Sequence, residues 1–489
     1  MVRSILTNLA LFLCALTALA QTKTVFVPAI VPSPKTTAVL EKRVPELMGK
    51  ADIPGISMAV VRDGKPYWIH AFGLKNADAH DSAVSDDTIF EAASLSKPVF
   101  AYAVMKLVDE GKVDLDAPLS KYLDKPYLPD NRIEQITARY VLSHRTGFPN
   151  WRPRGGELQI RVAPGERFSY SGEGFVYLAN VVEHITGMPF EAFMKKTVFD
   201  PLGMTSSSYV WRDDYDARTA TGHDALEKPQ KKGKPTEPNA AATLHTTAGD
   251  YAKFMGAVLN GMGLRPQTWH EMLRSQIAVD PACTNCTDRT PSPQMSRTIS
   301  WGLGWGIEHT SDGDTVWHWG DNGDFRCFVV AYPRQKTGVV MFTNSENGLL
   351  IAEDVVKLAI GGDHPAFAWI DYGTYNSPDF QFAKTLQNTN ADAVIANYRS
   401  ANLQGPSLSE RAINSAGYRL LAQDRVVEAI RVLQWNVELY PKSSNVYDSL
   451  GEAYMTHGDK ELAIKNYEKS LELDPRNSNA IEMLKKLRQ

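Results

Sequence analysis

Phe90-Glu91-Ala92-Ala93-Ser94-Leu95-Ser96-Lys97 is the stretch on which the reading of this chain turns. Val99, Tyr102, Ala103, Met105, Leu107 and Val108 follow it at the spacing of an amphipathic helix that stops at Gly111. Ser94 and Lys97 therefore open a helix, and Pro98 suits its first turn, where no intrahelical donor is lost. Residues three apart share a helix face, which sets the Lys97 amine beside the Ser94 hydroxyl. A serine hydroxyl is a poor nucleophile at neutral pH and needs a base within hydrogen-bond reach. Lysine can be that base when burial or a neighbouring cation disfavours its ammonium form. The helix N-terminus also favours a developing anion and offers it a backbone N–H. A capping serine followed by a solvated lysine would show the same spacing, so the surroundings must decide.

Outward from the octet, Ile56 to Arg62 and Pro66 to Gly73 read as strands around the turn Asp63-Gly64. Trp301 to His309, Val316 to Gly320, Phe325 to Tyr332 and Gly338 to Thr343 read as an antiparallel meander. Helices before and after such a sheet indicate an α+β domain, an antiparallel sheet flanked by helices, over residues 36–363. Residues 364–405 read as a connector, with a weak helical pattern from Phe380 to Ala401. Gly417, Ala429, Leu439 and Pro441 recur thirty-four positions later as Gly451, Ala463, Leu473 and Pro475. That period resembles tetratricopeptide helix pairs. Residues 406–489 are accordingly expected to form two all-α helical repeats, with a closing helix from Asn477 to Arg488.

At the other end, Arg3 precedes an apolar run from Ile5 to a small-residue Ala18-Leu19-Ala20 ending. Residues 1–20 read as a cleaved signal peptide and 21–35, with Pro28, Pro32 and Pro34, as a linker. A periplasmic or secreted protein without a membrane span after cleavage is expected. Three cysteines then remain, Cys283, Cys286 and Cys327. Cys283 and Cys286 read as a local disulfide pinning a polar loop, and Cys327, before Phe328-Val329-Val330, as a buried small residue. The chain has 489 residues, 43% hydrophobic and 22% charged, which argues against disorder. A net charge of -4 without a basic stripe gives no reason to expect a nucleic-acid partner. No His-Glu-x-x-His, phosphate loop or dinucleotide fingerprint occurs, so neither a metal nor an organic cofactor is expected.

Three further segments follow the octet in order: Val141-Leu142-Ser143-His144-Arg145-Thr146-Gly147, Pro164-Gly165-Glu166-Arg167-Phe168-Ser169-Tyr170-Ser171-Gly172 and Pro201-Leu202-Gly203-Met204-Thr205. Together they resemble class C β-lactamases and the related penicillin-binding-protein-like serine hydrolases. The resemblance implies a β-lactamase/DD-peptidase-like fold, with Ser94 as nucleophile, Lys97 as its activator and Tyr170 as partner base. It assigns His318-Trp319-Gly320 to the third box, Gly320 leaving room for substrate along the strand. The oxyanion would then meet the N–H groups of Ser94 and Asp321. Lys336-Thr337-Gly338 matches that box literally but falls in a hairpin turn, and reads as a decoy.

Two departures bear on substrate. Gly172 stands where the family's Tyr-x-Asn carries an amide for an acylamido group, and His318 replaces a lysine that would pair a substrate carboxylate. Arg326 is a candidate for that carboxylate. His144, His223 and His245 read as structural, and Trp151, Trp301, Trp305 and Trp317 as core or cleft wall. The expected function is an exported serine hydrolase forming a Ser94 acyl-enzyme with a small molecule or peptide that carries a reactive carbonyl: an ester, an amide or a β-lactam. The rival is a non-catalytic scaffold of the same fold, in which residues 406–489 bind a protein or mediate self-association.

Overall fold

The computed structural model describes residues 29–79, 82–153, 155–401 and 408–489, so the expected signal peptide lies outside the described residues. In β1 (Gly55–Arg62), Ile56, Met58 and Val60 face one core while Ala59 and Val61 face another. The sheet is therefore buried on both sides, which explains why its inner strands are continuous apolar runs. β1 is followed by β2 (Lys65–Gly73), and two short strands, β3 (Phe90–Glu91) and β4 (His245–Thr246), pair separately. Next come β5 (Ile277–Ala278), β6 (Ile299–Trp301), β7 (Gly306–Thr310), β8 (Gly313–Asp321), β9 (Arg326–Tyr332) and β10 (Thr337–Thr343). The antiparallel order is β2-β1-β10-β9-β8-β7-β6-β5. The stretch Trp301 to His309, expected as one strand, reverses between β6 and β7. Gly302 donates to the Trp305 carbonyl at 2.8 Å, and Gly304 takes a positive φ of 85°.

Helices Pro34–Ala51 and Ala352–Ile360 cover one face through Leu40, Val44, Leu47, Val355 and Ala359. Helix Ala248–Asn260 packs on the other face, and helices Ser96–Asp109 and Gly172–Thr186 share the core beneath it. A fully buried Leu or Val contributes about 1.5–3 kcal/mol, so either layer outweighs any single polar contact at the site. The first helix is capped by Ser33 and preceded by Ile30, whose N–H already bonds to the Ile360 carbonyl at 2.8 Å. The fold thus reaches upstream of Thr36.

The stretch expected to be a connector is largely helical, with helices Ala366–Ile370, Pro378–Asn388 and Ala391–Ala401. Phe382, Leu386, Val394 and Ile395 share one core with Ile413, Ala416, Val432 and Trp435 of the next helix pair. The repeats follow as Glu410–Ala422 with Val426–Leu439, then Ser444–His457 with Lys460–Leu473, closed by Ser478–Leu487. Their recurring glycines permit close helix approach: a Cβ on Gly417 would lie 2.6 Å from Leu433, and one on Gly451 would lie 3.1 Å from Tyr467. Among the described residues, no helix is long and apolar enough to cross a membrane.

Candidate active site

Ser94 lies on a bend that the surrounding protein enforces. Ala93 has φ 47°, an unfavourable conformation for a residue with a Cβ, at a cost of about 1–2 kcal/mol. Four buried contacts hold it. The Ser96 hydroxyl donates to the Ala93 carbonyl (2.6 Å) and accepts from the Leu244 N–H (3.0 Å). Tyr251 and Tyr209 donate to the carbonyls of Leu95 (3.0 Å) and Ser96 (2.8 Å). Ser94 falls in a short 3-10 turn, Ala93–Leu95, that runs into the helix beginning at Ser96.

One turn on, the Lys97 Nζ is 2.9 Å from the Ser94 Oγ and 2.9 Å from the Ala241 carbonyl. Lys97 is completely buried, with Nζ 4.7 Å from the centre of the Tyr170 ring and 5.8 Å from that of Phe175. No carboxylate is paired with it among the described residues. Burial alone therefore holds its pKa well below the ordinary lysine value. A neutral Nζ that donates to Ala241 keeps its lone pair for the serine proton.

Tyr170 is packed between His144, stacked at 4.3 Å between ring centres, and Trp319 at 4.9 Å. Its N–H bonds to the Thr284 carbonyl at 2.9 Å, so the loop closed by the Cys283–Cys286 disulfide positions it. Burial pushes its hydroxyl far above the usual tyrosine range, while nearby Ser94 acts in the opposite direction. The two are close, but no hydrogen bond of ordinary geometry joins them, and the Tyr170 Oη has no partner among the described residues. The site thus holds Tyr170 as a phenol.

His318, on β8, is fully buried, and its Nδ1 lies 2.7 Å from the Trp319 carbonyl. A carbonyl only accepts, so Nδ1 carries the proton and Nε2, which has no partner among the described residues, is an acceptor. Burial, reinforced by Lys97, pushes the pKa of His318 down to about 3. His318 is therefore neutral. The replacement of lysine by His318 thus removes the positive charge for a substrate carboxylate outright. His144 has the opposite tautomer, since its Nδ1 accepts from the Ser171 N–H at 3.0 Å. It is also neutral, its pKa lowered by burial, then by Lys97 and His318. His144 thus packs directly on Tyr170, while His223 and His245 bond to backbone carbonyls elsewhere.

Gly320 carries a correction. A Cβ there would lie 2.4 Å from the Cys327 Sγ, 2.5 Å from the Ala92 carbonyl and 3.1 Å from the Ala93 Cβ. The glycine lets β8 press against the Ser94 bend, so the space it leaves is filled by protein. This contact brings the end of β8, with Asp321, alongside the Ser94 turn. Arg326, considered for a substrate carboxylate, is engaged internally: its Nε is 3.3 Å from Asp321, Nη1 bonds to the Glu346 carbonyl, and its guanidinium lies 4.8 Å from the Tyr372 ring centre. The Tyr372 hydroxyl donates to the Asp321 carboxylate at 2.6 Å. Trp369 packs on Trp301, Trp317 and Trp319 behind Tyr170. Both come from the stretch expected to be a connector. Ala241, Ser96, Tyr209 and Tyr251 were also missed, because a backbone carbonyl and supporting hydroxyls carry no motif. At Gly172, the indole of Trp151 occupies the place of a side chain.

Esterase EstB of Burkholderia gladioli is 25% identical over 51% of this chain and 80% of its own length. Protein flp of Staphylococcus aureus strain N315 is 24% identical over 62% of each chain, so the present chain spans less than two thirds of that relative. The fold is similar to the octameric penicillin-binding protein homologue from Pyrococcus abyssi, with TM-score 0.55, 22% identity, and 72% of this chain and 82% of that one covered. It is equally similar to D-alanine carboxypeptidase AmpC from Burkholderia cenocepacia, with TM-score 0.55, 19% identity, and 66% and 98% covered. A tetratricopeptide repeat matches residues 444–477. The Beta-lactamase family profile matches residues 40–357, which include Ser94, Lys97, Tyr170 and His318, and on that match this chain belongs to the β-lactamase family.

Proposed function

We propose that this protein is an exported serine hydrolase that cleaves an ester or amide through an acyl-enzyme on Ser94. The observation that carries the reading is the 2.9 Å contact between the Ser94 Oγ and a fully buried Lys97 amine that has no paired carboxylate among the described residues. Ser94 attacks the substrate carbonyl carbon as its proton passes to the Lys97 lone pair. The oxyanion is held by the N–H groups of Ser94 and Asp321. Tyr170, a phenol at the start of the reaction, gives its proton to the leaving group and recovers one from Lys97. Water then enters, is deprotonated by the same relay, and releases the acid. Neutral His318 offers its Nε2 lone pair next to Tyr170 and orients either that hydroxyl or the substrate.

The absence of an amide at Gly172 and of a charge at His318 favours esters or D-amino-acid amides over β-lactams. The likeness to an esterase supports the same direction. A panel of a chromogenic cephalosporin, short-chain aryl esters and D-amino-acid amides, assayed with the wild type and Ser94→Ala, tests the reading. Hydrolysis that depends on Ser94 is expected for at least the aryl esters. Turnover that persists in Ser94→Ala would overturn the assignment. Export to the periplasm or medium is part of the proposal, and fractionation of cells producing the full chain tests it.

A further inference from the structure

Trp151 is the one exposed tryptophan among the described residues, at 43% exposure. Its placement is nonetheless fixed on both flanks. The Asn150 carbonyl accepts from the Gly172 and Glu173 N–H groups at 3.0 and 3.1 Å, and the Asn150 Oδ1 accepts from Gly172 at 3.0 Å. On the other side, the Arg152 N–H and guanidinium bind the buried Glu173 carboxylate at 3.0, 2.9 and 2.6 Å. Such clamping removes conformational freedom that an exposed loop residue would otherwise keep.

The clamp determines what the indole covers. Ser171 is extended, with φ -142° and ψ 119°, so Tyr170 and Gly172 project to the same side and Ser171 to the other. The Ser171 hydroxyl accordingly turns inward to the Pro149 carbonyl at 2.8 Å. A Cβ on Gly172 would meet the six-membered ring of Trp151 at 2.6 to 2.9 Å. The indole therefore stands where a side chain at position 172 would stand, on the side of the chain to which Tyr170 projects, with 43% of its surface open to solvent.

We infer that Trp151 is the wall of the acyl-binding subsite and selects a flat, apolar acyl group in place of an acylamino group. This inference rests on the Ser94 acyl-enzyme reading. An aromatic face gains from stacking on a planar group and provides no polar partner for an amide, whose desolvation would then go uncompensated. The recognised class is thus an arylcarboxylic ester or amide.

Three p-nitrophenyl esters with a common leaving group test this: acetate, benzoate and N-acetylglycinate. They are compared in the wild type, Trp151→Ala, Trp151→Phe and the double variant Trp151→Ala with Gly172→Asn. The wild type should prefer benzoate. Trp151→Ala should lower kcat/KM for benzoate about tenfold, mainly through KM, while acetate stays within about twofold. Trp151→Phe should retain the benzoate preference, and the double variant should shift it toward N-acetylglycinate. Ser94-dependent hydrolysis with the same acyl preference in Trp151→Ala, or an equal loss for all three esters, overturns the wall and leaves the nucleophile standing. Acetate hydrolysis that survives Ser94→Ala, or no hydrolysis of any ester by the wild type, overturns the nucleophile and the wall with it.

Discussion

Lys97 and Lys336 each belong to a segment that a serine hydrolase of this kind could use, Ser-Leu-Ser-Lys and Lys-Thr-Gly, yet the fold treats them in opposite ways. Lys97 is fully buried against Ser94, Tyr170 and the Ala241 carbonyl, with its ammonium form disfavoured. Lys336 sits exposed in the turn between β9 and β10, with φ 53°, and its Nζ bonds to the Asn260 side chain at 2.9 Å. β9 begins at Arg326 beside Asp321 and runs seven residues away from it, so Lys336 lies roughly 20 Å from the third box. The difference teaches that a lysine motif acquires chemistry from desolvation. The short spacing alone is compatible with either outcome.

The most severe way to break the comparison is Lys97→Met, which keeps the length and packing of the side chain but removes the base. On the proposed function, hydrolysis of an aryl ester is expected to fall by about 10³-fold or more, read as kcat/KM. The fold should gain stability. Below the ordinary lysine pKa the unfolded chain binds a proton at Lys97, while the folded chain, above its depressed value, does not. Wild-type stability therefore rises with pH between those two values, and this rise should be missing from urea midpoints of Lys97→Met. The wild-type rate should climb with pH as Lys97 loses its proton. His318, pushed down to about 3, should add no inflection near the usual histidine value of about 6.5. Retained activity in Lys97→Met would place the base elsewhere.

What could be read from the chain in advance follows the same division. Ser94, Lys97, Tyr170 and His318 were legible because each sits in a short contiguous segment, and the order of those segments carries the resemblance. Gly320 was legible as a position but not in its reason, since Cys327 and Ala92 approach from remote segments. Trp151 was read as core or cleft wall, but its place over Gly172 was not legible, because the missing side chain is replaced from a different loop. The first helix pair of the C-terminal stack was hidden by substitution. Thirty-four positions before Gly417 and Ala429 stand Ala383 and Ile395, so the register persists while the marker residues do not. Tyr372 and Trp369 lie past the matched segment at 40–357, yet they reach Asp321 and the aromatic wall behind Tyr170.

A smaller effect sharpens the contrast at the strand itself. Gly320→Ala inserts a methyl within 2.4 Å of the Cys327 Sγ and 2.5 Å of the Ala92 carbonyl. Backbone must yield, because the neighbours are not the ends of flexible chains. A loss of about 1–3 kcal/mol is expected in chemical denaturation, with a drop in kcat exceeding the change in KM because the proposed oxyanion donors, Ser94 and Asp321, would move apart. Gly338, the glycine of Lys-Thr-Gly, is also tightly packed, with a Cβ there 2.7 Å from the Ala331 Cβ. Gly338→Ala should therefore cost comparable stability while leaving kcat per folded molecule intact. Equal kcat losses in the two variants would show that the end of β8 has no special place in catalysis.

The least change is expected at Lys336. Lys336→Ala removes one exposed hydrogen bond to Asn260, and such contacts are worth about 0–1 kcal/mol at most. The Lys336 carbonyl, which accepts from the Gly64 N–H at 2.9 Å and ties the two hairpins together, remains in place. Lys336→Gly should relax the left-handed backbone and offset that loss, so its melting temperature should equal or exceed that of Lys336→Ala. Both variants should keep kcat/KM within about twofold of wild type, because neither changes a group within reach of Ser94. A tenfold loss in either would mean that the literal Lys-Thr-Gly takes part in catalysis, and the assignment of the third box to His318-Trp319-Gly320 would then have to be abandoned.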